Sequence, residues 1–383
     1  MLLLELVGEK ILVTDQSTKD QLRKTSFGYD ADGKYCLYPE EALYLMDVRN
    51  AQLTHNKKDV SFESFASKYS KQKKFMTRYF AFRDWRDRGL VIKRADAKFK
   101  APEKVTTKSY PLSSLTLPKF KLKGDFFADD LITILDDDEK GSHLYNEFWI
   151  GQYGSYKAAD RGKLGKLDIY EALFLIDHDM LTLNNASKKD LIKIATSRRH
   201  DFAKLYEVYR DWREKGFVTK TGFKFGTHFR IYFPGAKPIA KDNKWVHSKH
   251  VVHVFPKESK LLISEWARVI RVAHSVRKTF ILAIPGKTSK AKIETDYLLY
   301  HREGGNAISP EISPPKYLML SINEEDYIGG MELAGAIKEA KSHKLELIIA
   351  IVDRETAVTY YKIRQIELPR SRHEYYEIDW IQP

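Results

Sequence analysis

The sequence predicts an α+β chain of tandem half-modules: small mixed α/β domains, each a sheet plus a helix, preceded by α-rich N-terminal domains. Three observations carry this reading. Two unrelated segments each occur twice, in the order A, A′, B, B′. The A pair has helical periodicity, whereas the B pair reads strand, strand, helix, strand. A length of 383 residues suits two or three domains, and 43% hydrophobic residues can fill real cores.

The A pair is defined by short matching blocks. Glu41-Ala-Leu-Tyr-Leu-Met-Asp47 matches Glu171-Ala-Leu-Phe-Leu-Ile-Asp177 at an offset of 130, and Arg83-Asp-Trp-Arg matches Arg210-Asp-Trp-Arg at 127. Upstream, Phe27-Gly28-Tyr29 faces Tyr153-Gly154-Ser155 at 126. The helical patterns close at Gly89 and Gly216, residues suited to the left-handed turn that ends a helix. Strand-like runs follow at 90–93 and 217–220. The pair spans 1–115 and 118–221, with a Pro, Ser and Thr-rich linker at 101–117. Gly154 to Glu171 is 17 positions where Gly28 to Glu41 is 13, and the extra residues fall within 156–166.

The B pair covers 222–290 and 291–383. Ile263–Ser275 and Gly330–Ser342 share A-x2-I-x2-A-x-S at an offset of 67, and the strands at 280–284 and 347–351 keep it. Thr227–Tyr232 pairs with Thr295–Tyr300 at 68. Alternation puts Thr227, Phe229, Ile231 and Phe233 on one strand face and His228, Arg230 and Tyr232 on the other. A second strand is expected at 251–255, and Ser264 is positioned to cap a helix running to about Val276. Further linkers are expected at 285–292 and 304–315. In this arrangement only A′–B forms a complete two-part unit.

Lys and Arg number 65 against 52 Asp and Glu, a formal +13 that favours a polyanionic partner. The excess is local: residues 51–100 hold 14 basic against 5 acidic, and 241–290 hold 11 against 3. No apolar run approaches the ~20 residues of a spanning helix, and no basic region precedes the apolar start, so no membrane partner is expected. One cysteine, Cys36, excludes an intrachain disulfide and a cysteine-rich zinc site. A cytoplasmic protein is expected.

Tyr232, His247 and Lys278 could do chemistry together. Cleaving RNA without a metal needs a base for the ribose 2′-hydroxyl, an acid for the leaving 5′-oxygen and a cation for the charge on phosphorus. A tyrosine with a pKa near 10 is a poor base at pH 7 unless cations surround it. B′ is an internal control: there His247 becomes Pro314 and Lys278 becomes Leu345, while the tyrosine is kept as Tyr300. One copy is equipped and the other retired. Two other classes stay open, a metal-dependent nuclease using Glu258 and Lys260 and a non-catalytic RNA-binding subunit.

The run Lys220-Thr-Gly-Phe-Lys-Phe-Gly-Thr-His-Phe-Arg-Ile-Tyr232, then His247-Ser-Lys, then Ala267 to Lys278 ending in Val-Arg-Lys, resembles the catalytic subunit of the archaeal tRNA-splicing endonucleases. The A–A′–B–B′ order resembles their three-unit, homodimeric form. That likeness implies nuclease-type B domains and a homodimer that cuts precursor tRNA at bulge–helix–bulge junctions, with no cofactor and no metal. It implies 2′,3′-cyclic phosphate and 5′-hydroxyl ends, with Tyr232 as base, His247 as acid and Lys278 as stabiliser. It further implies a base-clamping arginine at Arg271, placed on the face of Lys278 if the helix runs that far, with Arg302 as candidate for the second. Asp353 and Glu355 fall where an acidic loop would dock the partner protomer, with Arg354 diluting its charge. Two insertions are expected to touch RNA, one through Lys157, Arg161, Lys163 and Lys166 and one through Lys237, Lys241 and Lys244.

Overall fold

The computed structural model describes residues 2–103, 107–156, 158, 161–239, 244–286, 293–303 and 306–383. Lys157 and Lys241 lie outside the described residues. None of the described helices is long and apolar enough to cross a membrane.

Segments A and A′ repeat one design. In A, a six-stranded sheet is packed by the helices Gln16–Lys24, Pro39–Arg49, Phe62–Ser67 and Phe75–Asp87. In A′, a five-stranded sheet is packed by Asp138–Phe148, Ile169–Asp177, Lys188–Arg198 and Phe202–Glu214. The sheets add strands to domains whose sequence shows mainly helical periodicity, because most of these strands are only two to six residues long and several are largely polar. Gly89 and Gly216 adopt φ of +75° and +79° after the last helix of each segment, as their positions predict.

The repeat is offset differently from the sequence expectation. Gly28 corresponds to Gly151, not to Gly154. Both have left-handed φ, +70° and +75°, and a Cβ on either would lie 2.7 Å from a carbonyl of the next strand, that of Cys36 or of Lys166. The offset is 123 at the glycines and 130 at those carbonyls, so seven extra residues fall between. In A the strands Tyr29–Ala31 and Lys34–Leu37 are joined by Asp32-Gly33, both at positive φ, a two-residue hairpin turn. In A′ the turn between Gln152–Tyr153 and Gly165–Asp168 is the longer loop 154–164. Lys166 therefore sits on a strand, not in the inserted loop.

One continuous sheet unites the molecule. Its path runs Val218–Thr221, Phe229–Tyr232, His250–Val254, Thr279–Ile284, Glu374–Ile381, Val358–Glu367, Glu346–Val352, Tyr317–Asn323, Tyr297–Leu299 and Ile92–Arg94. Segment A thus donates an edge strand to B′, just as A′ donates one to B. Leu6, Phe82, Tyr297, Met319 and Tyr360 share one core, so A and B′ together also form a two-part unit, contrary to the expectation of a single complete one. Amphipathic pattern cannot reveal that pairing, since the partners lie about 200 residues apart.

The two units meet edge to edge. Phe280 pairs with Ile378, Ile378 with Ile363, and Ile363 with Leu347, a row of four apolar side chains across the joint. Phe280 and Leu347 are equivalent at the offset of 67, so the row is symmetric about the Ile363–Ile378 rung. The helix Ile263–Ser275 starts without the Ser264 side-chain cap; Ile263 N–H and Ser264 N–H instead donate to the Asp326 and Glu324 carbonyls of B′. Gly330 N–H returns a bond to the Ser259 carbonyl.

Candidate active site

A cavity of about 420 Å³ opens where A′ meets B. Its floor is the strand Phe229–Tyr232, which places Arg230 and Tyr232 on the same side, two residues apart. Trp149 and Tyr145 pack around Tyr232, the Trp149 ring centroid 4.4 Å from that of Tyr232. Sequence reasoning missed this aromatic wall, because Trp149 lies outside every repeated block. Burial raises the Tyr232 phenol above its ordinary value, and Arg230 pulls it back.

His247 is exposed and lines the same cavity, on the segment between Trp245 and Ser248. Lys278 lies beside the cavity, behind lining residues. The helix of B ends at Ser275 and Arg277 turns left-handed with φ +55°, so Arg271 and Lys278 do not share a helical face as expected. Lys278 N–H closes that turn on the Ala273 carbonyl at 3.0 Å. Its ammonium donates to the Ser248 carbonyl, one residue beyond His247, and lies 4.9 Å from the ring centroid of Phe225, itself in the cavity wall. Burial, then the charge of Arg230, lower the Lys278 ammonium below its ordinary value.

Behind the cavity lies a buried network. Glu171, 4% exposed, accepts from Gly151 N–H at 2.8 Å, Asp168 N–H at 3.1 Å and Lys220 Nζ at 2.6 Å; Lys220 also donates to the Gly151 carbonyl at 2.6 Å. Unit A–B′ repeats it. There Glu41 accepts from Gly28 N–H at 3.0 Å and Tyr38 N–H at 3.0 Å, and Lys93 donates to the Gly28 carbonyl at 2.9 Å. The network persists where His247 and Lys278 are replaced, so it builds the unit and is not part of the chemistry. Burial and the Glu171 charge push the Asp168 carboxyl, at the cavity edge, up to about 7.

The other expected residues are scattered. Arg161 is exposed in the inserted loop, Lys163 stands 3.6 Å from Asp138, and Lys166 lines the cavity. Lys237 is held by Glu147 at 2.6 Å, and Lys244 is exposed beside Trp245. Arg271 is exposed on the helix of B, while Arg302, in the other unit, donates to the Arg88 carbonyl. Asp353 and Glu355 share an exposed turn in which Asp353 Oδ1 accepts from Glu355 N–H and Ala357 N–H. Arg354 is taken up by Glu324 and Glu325, which leaves that tip acidic. Glu258 and Lys260, the metal-nuclease alternative, lie outside the cavity lining, and Lys260 pairs with Gly329 of B′.

The chain matches two family models, the tRNA intron endonuclease catalytic C-terminal domain over residues 202–295 and the tRNA intron endonuclease N-terminal domain over 3–66. It is similar to the tRNA-splicing endonuclease of Methanopyrus kandleri, 35% identical over 144 residues, which are 36% of this chain and 76% of that protein. The tRNA-splicing endonuclease of Thermococcus kodakarensis is 32% identical over 145 residues, 37% of this chain and 77% of its own length. That of Methanococcoides burtonii is 24% identical over 343 residues, 73% of this chain and 95% of its own length.

Proposed function

The chain belongs to the tRNA-splicing endonuclease family and is an endonuclease acting on tRNA, and on that premise we propose that it cuts precursor tRNA at bulge–helix–bulge junctions without a metal. The observation that carries this reading is the A′–B cavity, lined by both Tyr232 and His247, with Lys278 beside its wall at Phe225 and bonded to the Ser248 carbonyl. Tyr232 takes the proton of the ribose 2′-hydroxyl, and the freed oxygen attacks the adjacent phosphorus. Lys278 balances the charge that builds on the phosphorane oxygens. His247 gives its proton to the departing 5′-oxygen, and the bond to that oxygen breaks. The ends are a 2′,3′-cyclic phosphate and a 5′-hydroxyl.

Residues 1–115, 118–221, 222–290 and 291–383 serve in this reading as amino-terminal half-unit, N-terminal domain of the catalytic unit, catalytic domain and structural half-unit. Two copies assemble, the acidic tip with Asp353 and Glu355 docking a basic surface of the partner protomer. Arg271 and Arg302 remain the candidates for gripping a bulge base. Lys157, Arg161, Lys163 and Lys166 on one side, and Lys237, Lys241 and Lys244 on the other, meet the RNA backbone. The test is purified protein with an intron-bearing precursor tRNA in excess EDTA. We expect two cuts and cyclic phosphate ends, and loss of cutting with retained binding in His247→Ala and Lys278→Ala. Full activity in either variant, or activity that EDTA abolishes, would overturn the reading.

A further inference from the structure

The floor of the cavity carries a cation that the Tyr232, His247 and Lys278 chemistry leaves unused. Arg230 lies two residues before Tyr232 on the same strand face, and its guanidinium carbon is 6.0 Å from the centroid of the Tyr232 ring. Its Nε donates to the Thr221 carbonyl at 2.7 Å, which anchors a side chain that lines the cavity. Arg230 is also close enough to Lys278 to weigh on that ammonium. Among the described residues no carboxylate forms an ion pair with either cation. Two like charges held together without a counterion are unfavourable until an anion enters between them. The anion this reaction brings is a phosphodiester whose charge rises toward the transition state.

The second unit sharpens the argument. On the ladder Arg230 pairs with Lys220, and the equivalent rung in A–B′ pairs Leu298 with Lys93. Lys220 and Lys93 keep the same buried role in both units, and Tyr232 recurs as Tyr300. Arg230 does not recur. It is replaced by Leu298, 0% exposed, as Lys278 is replaced by Leu345, 3% exposed, both inside one apolar core. Arg230 is thus lost together with His247 and Lys278, while the residues that build the unit are kept.

We propose that Arg230 is a further catalytic residue of the cleavage reaction, holding a non-bridging oxygen of the scissile phosphate opposite Lys278. This rests on the proposed roles of Tyr232, His247 and Lys278. Arg230 gives hydrogen bonds only; no proton leaves it and no bond to it is made. A planar guanidinium suits a phosphate with two parallel donors, which a lysine provides only as a point charge.

The test is single-turnover cleavage of precursor tRNA by saturating full-length protein, comparing wild type, Lys278→Ala, Arg230→Gln and Arg230→Lys. Binding to the same RNA with 2′-deoxy residues at the junctions, which cannot be cut, is measured alongside. Arg230→Gln is expected to slow the saturated rate about 10²-fold or more, the size of losing one donor to a developing oxyanion. Its affinity for the uncuttable RNA should stay within about threefold, a fraction of one phosphate contact. Arg230→Lys should fall between the two. A wild-type rate in Arg230→Gln beside an inactive Lys278→Ala overturns this inference alone, as does a loss confined to affinity. A fully active Lys278→Ala overturns the triad reading and this inference with it. Melting curves check folding; if Arg230→Gln unfolds, Arg230→Lys decides, and a wild-type rate there refutes the proposal.

Discussion

Glu171→Ala isolates the part of the site that builds from the part that reacts. It removes three accepted hydrogen bonds at 2.6 to 3.1 Å and leaves the Lys220 ammonium, with a side chain 11% exposed, bonded to the Gly151 carbonyl with no carboxylate partner closer than Asp168. Taking one partner from a buried ion pair costs about 3–5 kcal/mol, and a buried N–H left without an acceptor about 1–3 more. These terms overlap, so about 4 kcal/mol is the expected loss. A unit of about 200 residues shifts by about 2–4 °C per kcal/mol, which puts the drop in Tm at roughly 8–16 °C. Glu41→Ala should cost a similar amount in the other unit, where Gly28 N–H and Tyr38 N–H lose the same acceptor. The double change Glu171→Leu with Lys220→Met should recover much of the loss, because it leaves no buried charge behind. Calorimetry at neutral pH reads all three. An unshifted melt in Glu171→Ala, or loss of cleavage in protein that melts as wild type does, would show the network to be catalytic and refute the argument from its repetition.

Two further outcomes follow from burial and charge. His250 is buried, and His228 and His253 half-buried, beside the strands of the cavity, and desolvation pushes His228, His250 and His253 down to about 2, 4 and 4, with the neighbouring cations Arg199 and Lys108 assisting. Their folded values lie below the unfolded ~6.5, so the unfolded chain binds more protons and stability falls as pH drops below that value. Between pH 7 and 5 each should cost about 2 kcal/mol, visible as a falling urea midpoint that His253→Gln makes shallower. At the acidic tip, the proposed docking predicts that Glu355→Lys, which keeps the Asp353 bonds to the turn, weakens self-association in sedimentation at low salt and reduces paired cutting, with the melting temperature unchanged. A stable, active dimer in that variant removes the tip from the interface.

Most of the repeated blocks, the strand faces and the placing of Tyr232 and His247 on one cavity were legible in the sequence, because each depends on local periodicity or on a short distinctive run. The strand Phe229–Tyr232 needed only its alternation, and the end of the last A′ helix only Gly216. What escaped depends on contacts far apart in the chain. Nothing near Ile92 announces Tyr297–Leu299 as its partner, and a strand three residues long has no periodicity of its own. The slip from Gly151 to Gly154 has a similar cause: two glycines three residues apart both adopt positive φ, and only contacts distant in sequence, the bond to Glu171 and the approach to the Lys166 carbonyl, tell which one matches Gly28. Arg230 was visible on the right face, but a cation in a strand has no meaning until the position of Lys278 is known.

The joint between the units gives B′ a structural role that needs no chemistry of its own. The strand Thr279–Ile284, apolar from Phe280 on, would be an exposed edge if B stood alone, and such an edge invites pairing with other chains. Glu374–Ile381 covers it, yet that strand is reached only by passing through B′. The helix of B also lacks a side-chain cap and takes carbonyls from the loop of B′ in its place. B therefore depends on B′ for its sheet edge and for its helix start, neither of which requires Arg230, His247 or Lys278 to have counterparts there. Selection on B′ is then selection for packing, and buried leucines at 298 and 345 fill that core better than cations with no phosphate to meet. In the proposed reading one protomer carries one equipped cavity for this reason, and a substrate with two junctions would call for a second copy.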